Sequence, residues 1–197
     1  AHVLTMTATP IPRTIALTLY GDLDLSVLDE MPFGRKMVKT WVVPPDKRQS
    51  AYAWMDREIK THKSRAFIIC PFIDPSESMQ TIRAATAEFK LLSEHIFPQR
   101  QLVLLHGRLG ADAKQTILRE VRQNKFEIMV APPVVEVGID IPNATIMVIE
   151  AAERVGLAQL HQLRGRVGRS DKQSYCLLFT SEGSQSVTSR LKHLERV

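Results

Sequence analysis

The sequence predicts an α/β fold in three layers, a mostly parallel sheet covered by helices on both faces. Two features carry that expectation. Short apolar runs of strand length alternate repeatedly with longer segments whose apolar residues recur at helical spacing, the pattern of crossover-connected strands. One of those runs, Ala66 to Cys70, is apolar throughout instead of alternating, as in a strand buried on both faces. A chain of 197 residues that is 44% hydrophobic has enough apolar surface for one cored domain, or for one domain with a piece of another.

Taken in order, the chain opens on the apolar run Val3 to Met6 and breaks into Thr7, Thr9, Pro10 and Pro12, a strand ending in a proline-fixed turn. Thr14 to Gly21 has the composition of a short helix. Pro32 to Lys36 is turn chemistry and suits a linker. From Met37 onward the alternation is regular. Strands are expected at Val38 to Val43, Ala66 to Cys70, Gln101 to Leu105, Glu127 to Ala131, Ala144 to Ile149 and Ser174 to Thr180. Helices are expected at Pro45 to His62, Ser78 to Ile96, Asp112 to Asn124, around Gln159 to Arg169, and in the amphipathic tail from Ser184. Loops after parallel strands open on one edge, where ligands of such sheets gather. That places Pro71 to Asp74, His106 to Arg108, Pro132 to Asp140 and Glu150 to Arg154 together.

Composition narrows the class further. Lys and Arg number 26 against 21 Asp and Glu, a net charge of +5, which is compatible with a polyanionic partner without requiring one. Cys70 and Cys176 each lie inside an apolar run, where a buried free thiol is expected, as in a reducing cytoplasm. The sequence has no apolar run long enough to span a bilayer and no export signal at its start, so a cytoplasmic protein without a membrane partner is expected.

The richest cationic segment is Gln159 to Arg169, QLHQLRGRVGR. As a helix it would set Gln159, Gln162, Arg166 and Arg169 on one polar stripe and Leu157, Leu160, Leu163 and Val167 on a packing face. Arg166 and Arg169 would present paired guanidinium forks, which fit phosphate oxygens better than lysine does. Gly165 and Gly168 between them admit a second backbone or a ligand, and Gly168 is also a place for the helix to end. Taken alone, an Arg-rich helix is more often an ordinary solvated basic helix.

QLHQLRGRVGR resembles the sixth motif of superfamily 2 helicases, and AERVGLA before it is similar to the RecG family of branched-DNA helicases and, less closely, to the Mfd family of transcription-repair coupling translocases. TATPIPRT resembles the third helicase motif, and YGDLDLSVLDEMPFGRK is closer to RecG than to Mfd. The resemblance covers nearly the whole chain. It implies a RecA-like, P-loop NTPase-like second motor domain without a P-loop of its own. By the same likeness Arg166 and Arg169 act in ATP hydrolysis, Gln162 contacts nucleotide, and Thr7 and Thr9 couple the ATP and DNA sites.

Two loops extend the likeness. LHGRL, with His106, Gly107 and Arg108, looks like a DNA-phosphate loop of the second domain; by itself an HGR turn is often structural. VVEVGIDIPN is similar to the fifth motif, with Gly138 allowing close approach and Asp140 accepting hydrogen bonds from a ribose or an arginine, or else serving as a turn residue. Pro132 and Pro133 depart from the hydroxyl residues expected just before it, so that family phosphate contact does not transfer to them.

No G-x-x-x-x-G-K-[ST] loop and no strand ending in Asp-Glu occur in the sequence, so the expected ATP and Mg²⁺ would be bound mainly by an upstream RecA-like domain. The chain alone is expected to be inactive. The expected division is 1–36 as the end of a first RecA-like domain plus linker, 37–183 as the second, and 184–197 as the start of a helical coupling segment. Expected partners are branched or duplex DNA, such as stalled forks and Holliday junctions, and the upstream RecA-like and wedge domains. The alternatives are an Mfd-like translocase domain and a non-catalytic DNA-binding module.

Overall fold

The structure is a computed structural model, and it describes residues 26, 34–70, 78–132, 144–181 and 185–196. The compact unit to which all but the first of these belong runs from Gly34 to Val197. Its strands are β1 (Lys39–Val43), β2 (Arg65–Ile69), β3 (Leu102–Leu104), β4 (Ile128–Ala131), β5 (Ala144–Ile149) and β6 (Tyr175–Phe179). Its helices are α1 (Arg48–His62), α2 (Ser78–Leu91), α3 (Ala111–Arg122), α4 (Leu157–Arg164) and α5 (Gln185–Arg196). The expected helix from Pro45 begins as a 3-10 turn, Pro45–Lys47, before α1, and α2 runs on into a π-helical turn, Leu92–Ile96.

Among the described residues six strands lie in the order β1-β6-β5-β2-β4-β3, and every pairing between them is parallel. Alternate side chains of each strand point to opposite faces, and both faces are covered. Ala66, Ile68, Ile128, Val130, Ile146, Val148, Leu177 and Phe179 meet Tyr52, Met55 and Ile59 of α1 and Ala85 of α2. On the other face Phe67, Ile69, Met129, Met147, Ile149 and Leu178 meet Val121 of α3, Leu160 and Leu163 of α4, and Leu191 and Leu194 of α5. Tyr52, Met55 and Ile59 recur at three and four residues, which is why α1 presents one apolar stripe.

The helix ends follow from local chemistry. Lys63 closes α1 in the left-handed conformation at φ 52°, and Asn124 does so just beyond α3 at φ 64°. Helix α5 packs on β1 through Leu191 and Leu194, and the Arg190 guanidinium donates to the carbonyls of Glu153 and Val155. On the outer edge of β1, the backbone N–H of Val42 donates to the Glu195 carboxylate of α5 at 2.6 Å. At the amino edge Arg100 bridges Asp56, at 2.8 Å, and Glu127, at 3.2 Å, linking α1 to the approach to β4. Cys70 and Cys176 are free and buried, as their apolar surroundings require. No helix among the described residues is long and apolar enough to cross a membrane.

Candidate functional site

Helix α4 starts after Gly156 and stops at Arg164, where the Gly165 N–H turns back to the His161 carbonyl and the Arg166 N–H to the Leu163 carbonyl. The polar stripe expected to run helically to Arg169 therefore ends early, and Arg166 and Arg169 stand on an extended turn beyond the helix. Leu160, Leu163 and Val167 are buried as expected, but Leu157, in the first turn, is 38% exposed and lies outside the packing face. Gln162 and Arg169 are exposed and Arg166 is half-buried. Arg164 turns the other way and donates to the Leu194 carbonyl of α5 at 3.2 Å, a structural bond.

What holds the arginine segment is Gly168. Its backbone is left-handed at φ 75°, and a Cβ built there would sit 2.7 Å from Val38 Cγ2 and 3.8 Å from Ser174 Cβ. A β-branched valine has little rotamer freedom with which to retreat. Both conformation and space thus require glycine. Val38 precedes β1 and Ser174 precedes β6, so Arg166 to Arg169 lie at the amino edge of the sheet, not at the edge where its loops gather.

The HGR loop lies at the opposite edge. It follows β3 as a turn closed by the Leu109 N–H to the His106 carbonyl, 3.3 Å, and the Lys114 ammonium donates to the Gly107 carbonyl at 2.7 Å. Gly107 and Arg108 are exposed, while His106 Nδ1 is shut off from solvent with no partner among the described residues. A Cβ on Gly107 would meet nothing within 4 Å, so local packing does not dictate this glycine. Strands β3 and β6 are four strand spacings apart, roughly 19 Å, so one phosphate cannot touch both this loop and the arginine segment. Gly138 and Asp140 of the proposed fifth motif, Thr7 and Thr9, and Pro133 lie outside the described residues; Pro132 is buried at the end of β4.

A third charged group was not anticipated from the sequence. Glu150 follows the last residue of β5, buried at 8% exposure, with Arg48 donating to Oε2 and the Tyr52 hydroxyl to Oε1 at 3.2 Å. The Arg48 guanidinium also lies 4.9 Å above the centre of the Phe179 ring. Burial pushes the Glu150 carboxyl up to about 7, although Arg48 pulls it down, and Glu88 on α2 adds like-charge repulsion. Burial likewise raises Glu88, against the pull of Arg48. The next residue, Ala151, is left-handed at φ 45°, a conformation an alanine adopts at a cost of about 1–2 kcal/mol. The available signal was an acid directly after an apolar strand, with an arginine and a tyrosine four apart on α1. Among the described residues no group of three or more His, Cys, Asp or Glu is placed to hold a metal ion.

Residues 50–171 match the model of the helicase conserved C-terminal domain, and the chain belongs to that family. Within it, the chain is 51% identical to the ATP-dependent DNA helicase RecG of Synechocystis over 195 residues, which span 99% of this chain and 23% of that protein. It is 44% identical to the RecG of Thermotoga maritima over 96% of this chain and 24% of that protein. The chain thus spans about a quarter of the length of these relatives. A solved structure of RecG bound to a three-way DNA junction superposes with a TM-score of 0.76 at 42% identity, covering 95% of this chain and 24% of that one. The second domain of a DEAD-box helicase bound to an RNA duplex shares the fold at 16% identity and a TM-score of 0.57, over 80% of this chain and 69% of that one.

Two tests follow from this geometry. Gly168→Ala should destabilise the chain by about 2–4 kcal/mol in urea unfolding, and Val38→Ala in that background should recover the steric part and leave the left-handed strain. Glu150 holds a proton in the folded state up to about pH 7 that the unfolded chain releases near 4.5, so its contribution to stability should fall as pH rises between those values and stay flat above. Glu88 acts with the same sign. Glu150→Gln should accordingly shrink, not abolish, the loss of stability between those two pH values, read from urea midpoints of both chains.

Proposed function

We propose that this chain is the second RecA-like motor domain of a RecG-like, ATP-dependent DNA helicase and translocase that remodels branched DNA such as stalled forks and Holliday junctions in recombination and repair. The observation that carries this is the arginine segment, locked by Gly168 against Val38 with Arg169 left exposed, in a chain with strong likeness to RecG. That likeness favours RecG over the Mfd-like alternative. The proposed division is 1–36 as the tail of the first RecA-like domain and linker, 37–183 as the second, and 184–197 as the start of a helical coupling segment.

In this reading Arg166 and Arg169 face the triphosphate across an interdomain cleft, with Gln162 beside them. As the γ-phosphoryl group transfers, negative charge spreads over its oxygens, and a guanidinium on a backbone that does not have to reorganise stabilises it. The planar fork suits phosphate, but the described residues offer no carboxylate set for a metal. The upstream domain would therefore bind most of the ATP and its Mg²⁺, which neutralises phosphate charge when bound. Thr7 and Thr9 would couple the two sites, and Gly138 and Asp140 would line the nucleotide side. His106, Gly107 and Arg108 contact the DNA backbone on the far edge, which suits a motor that must hold ATP and DNA apart. The whole protein would work in the cytoplasm on DNA, with its wedge domain engaging the branch point.

In the full-length protein Arg169→Ala should lower DNA-stimulated ATP turnover by about 10³ to 10⁵, or about 4 to 7 kcal/mol, while ATP affinity changes little. Arg169→Lys should recover little of it, since charge without the fork does not restore the geometry. Turnover close to that of the unaltered protein after Arg169→Ala would refute the assignment.

For the DNA loop, Gly107→Ala should leave stability within about 0.5 kcal/mol, because the added methyl meets nothing, yet weaken DNA binding by blocking close approach of a phosphate. Arg108→Ala should weaken binding to all sequences alike and flatten the log-log salt dependence by about one contact. Equilibrium titration of a forked duplex at two salt concentrations reads both. Unchanged affinity and slope would remove the loop from the DNA interface.

A further inference from the structure

The approach to β1 and the approach to β6 run side by side at the amino edge of the sheet. The Lys39 N–H donates to the Ser174 carbonyl at 2.9 Å, and the Gln173 side-chain amide donates to the carbonyls of Met37, at 2.8 Å, and Ser174, at 3.0 Å. Eight residues before Ser174 stands Arg166, in the turn beyond α4, and within that turn Gly168 faces Val38, with the Lys36 carbonyl oxygen 4.0 Å from the position a Cβ would take. The Met37 side chain is 65% exposed, so the tie at this residue is a directional hydrogen bond to its backbone and not apolar burial.

We propose that Gln173 is a positioning residue whose amide, together with the Gly168–Val38 contact, fastens the chain entering this domain to the segment that carries Arg166 and Arg169. This rests on the reading of those arginines as phosphate ligands. Lys36 ends the stretch assigned to the linker from the first RecA-like domain, and Met37 and Val38 follow it directly. A displacement of that linker reaches Gly168 through a stiff β-branched side chain and reaches the β6 approach through the Gln173 amide. Val38 lies close enough to leave no space for a Cβ at Gly168, and the two amide hydrogens of Gln173 are each committed to a carbonyl. The position of the arginines thus follows the entry strand, and movement between motor domains is delivered to the group that stabilises the transferring phosphoryl.

Gln173→Glu keeps the shape of the side chain and removes the donor, whereas Gln173→Lys keeps a donor. In the full-length protein, Gln173→Glu should lower DNA-stimulated ATP turnover by between about tenfold and a hundredfold, the cost of a small misplacement of a catalytic group, with ATP affinity unchanged and the loss persisting well below the melting temperature. Gln173→Lys should recover most of the turnover. Added to Arg169→Ala, Gln173→Glu should cost nothing more, because it acts through that arginine. Turnover of Gln173→Glu within about twofold of the unaltered protein, or a loss that multiplies in full onto that of Arg169→Ala, overturns the latch and leaves the arginine assignment standing. A loss that tracks a fall in melting temperature also overturns it, as a matter of stability alone. If Arg169→Ala itself keeps normal turnover, the arginine assignment falls first and the latch with it.

Discussion

Parallel pairing obliges every connection to carry the chain from the carboxyl edge of one strand back to the amino edge of the next, over one face of the sheet. With all six strands parallel, the two edges become separate territories, and the sheet between them is closed to charge. Ile68, Ile128, Val130, Ile146 and Val148 are wholly buried in its centre. Polar chemistry is therefore displaced to the two ends of the strands. The HGR turn and Glu150 fall at one end because they follow strands, and the arginine segment falls at the other because it precedes one.

Glu150 is the charge admitted deepest, and it is admitted on conditions. Two donors from α1 satisfy its oxygens, yet burial still outweighs the attraction of Arg48, since the carboxyl is driven up to about 7. A buried pair of this kind adds little net stability and instead fixes which groups meet. Here it joins the first turn of α1 to the exit of β5, just where Ala151 turns the chain sharply toward α4. The path from Glu150 to β6 is thus pinned at its start by an ion pair and near its end by the Gly168 contact.

How much of this was legible in the sequence depends on the range of the interaction involved. The strands and helices were, because each is written in a local pattern: Val38 to Val43 was expected where Lys39–Val43 forms, and Asp112 to Asn124 where Ala111–Arg122 forms. The end of α4 was not read correctly, because the spacing of Gln159, Gln162, Arg166 and Arg169 stays helical on paper past Gly165. Gly165 follows the last helical residue, and beyond it Gly168 is left-handed where Val38, a residue far away in sequence, leaves no space for a side chain. The Arg48–Glu150 pair and the Gln173–Met37 bond join residues more than a hundred positions apart, and no local spacing records such pairs. The residue types at the candidate site were legible; their assignment to opposite edges required the strand order.

The outer edge of β1 carries one further consequence. An edge strand offers unpaired N–H and C=O groups to any extended chain that meets it, the usual route to intermolecular sheet growth. The Glu195 carboxylate occupies the Val42 N–H, and it brings a negative charge and the body of α5 against that rung. A neighbouring molecule would have to displace this carboxylate before it could add a seventh strand. Helix α5 therefore covers part of this border, and an added strand would meet its charge and its bulk before it met a free backbone group.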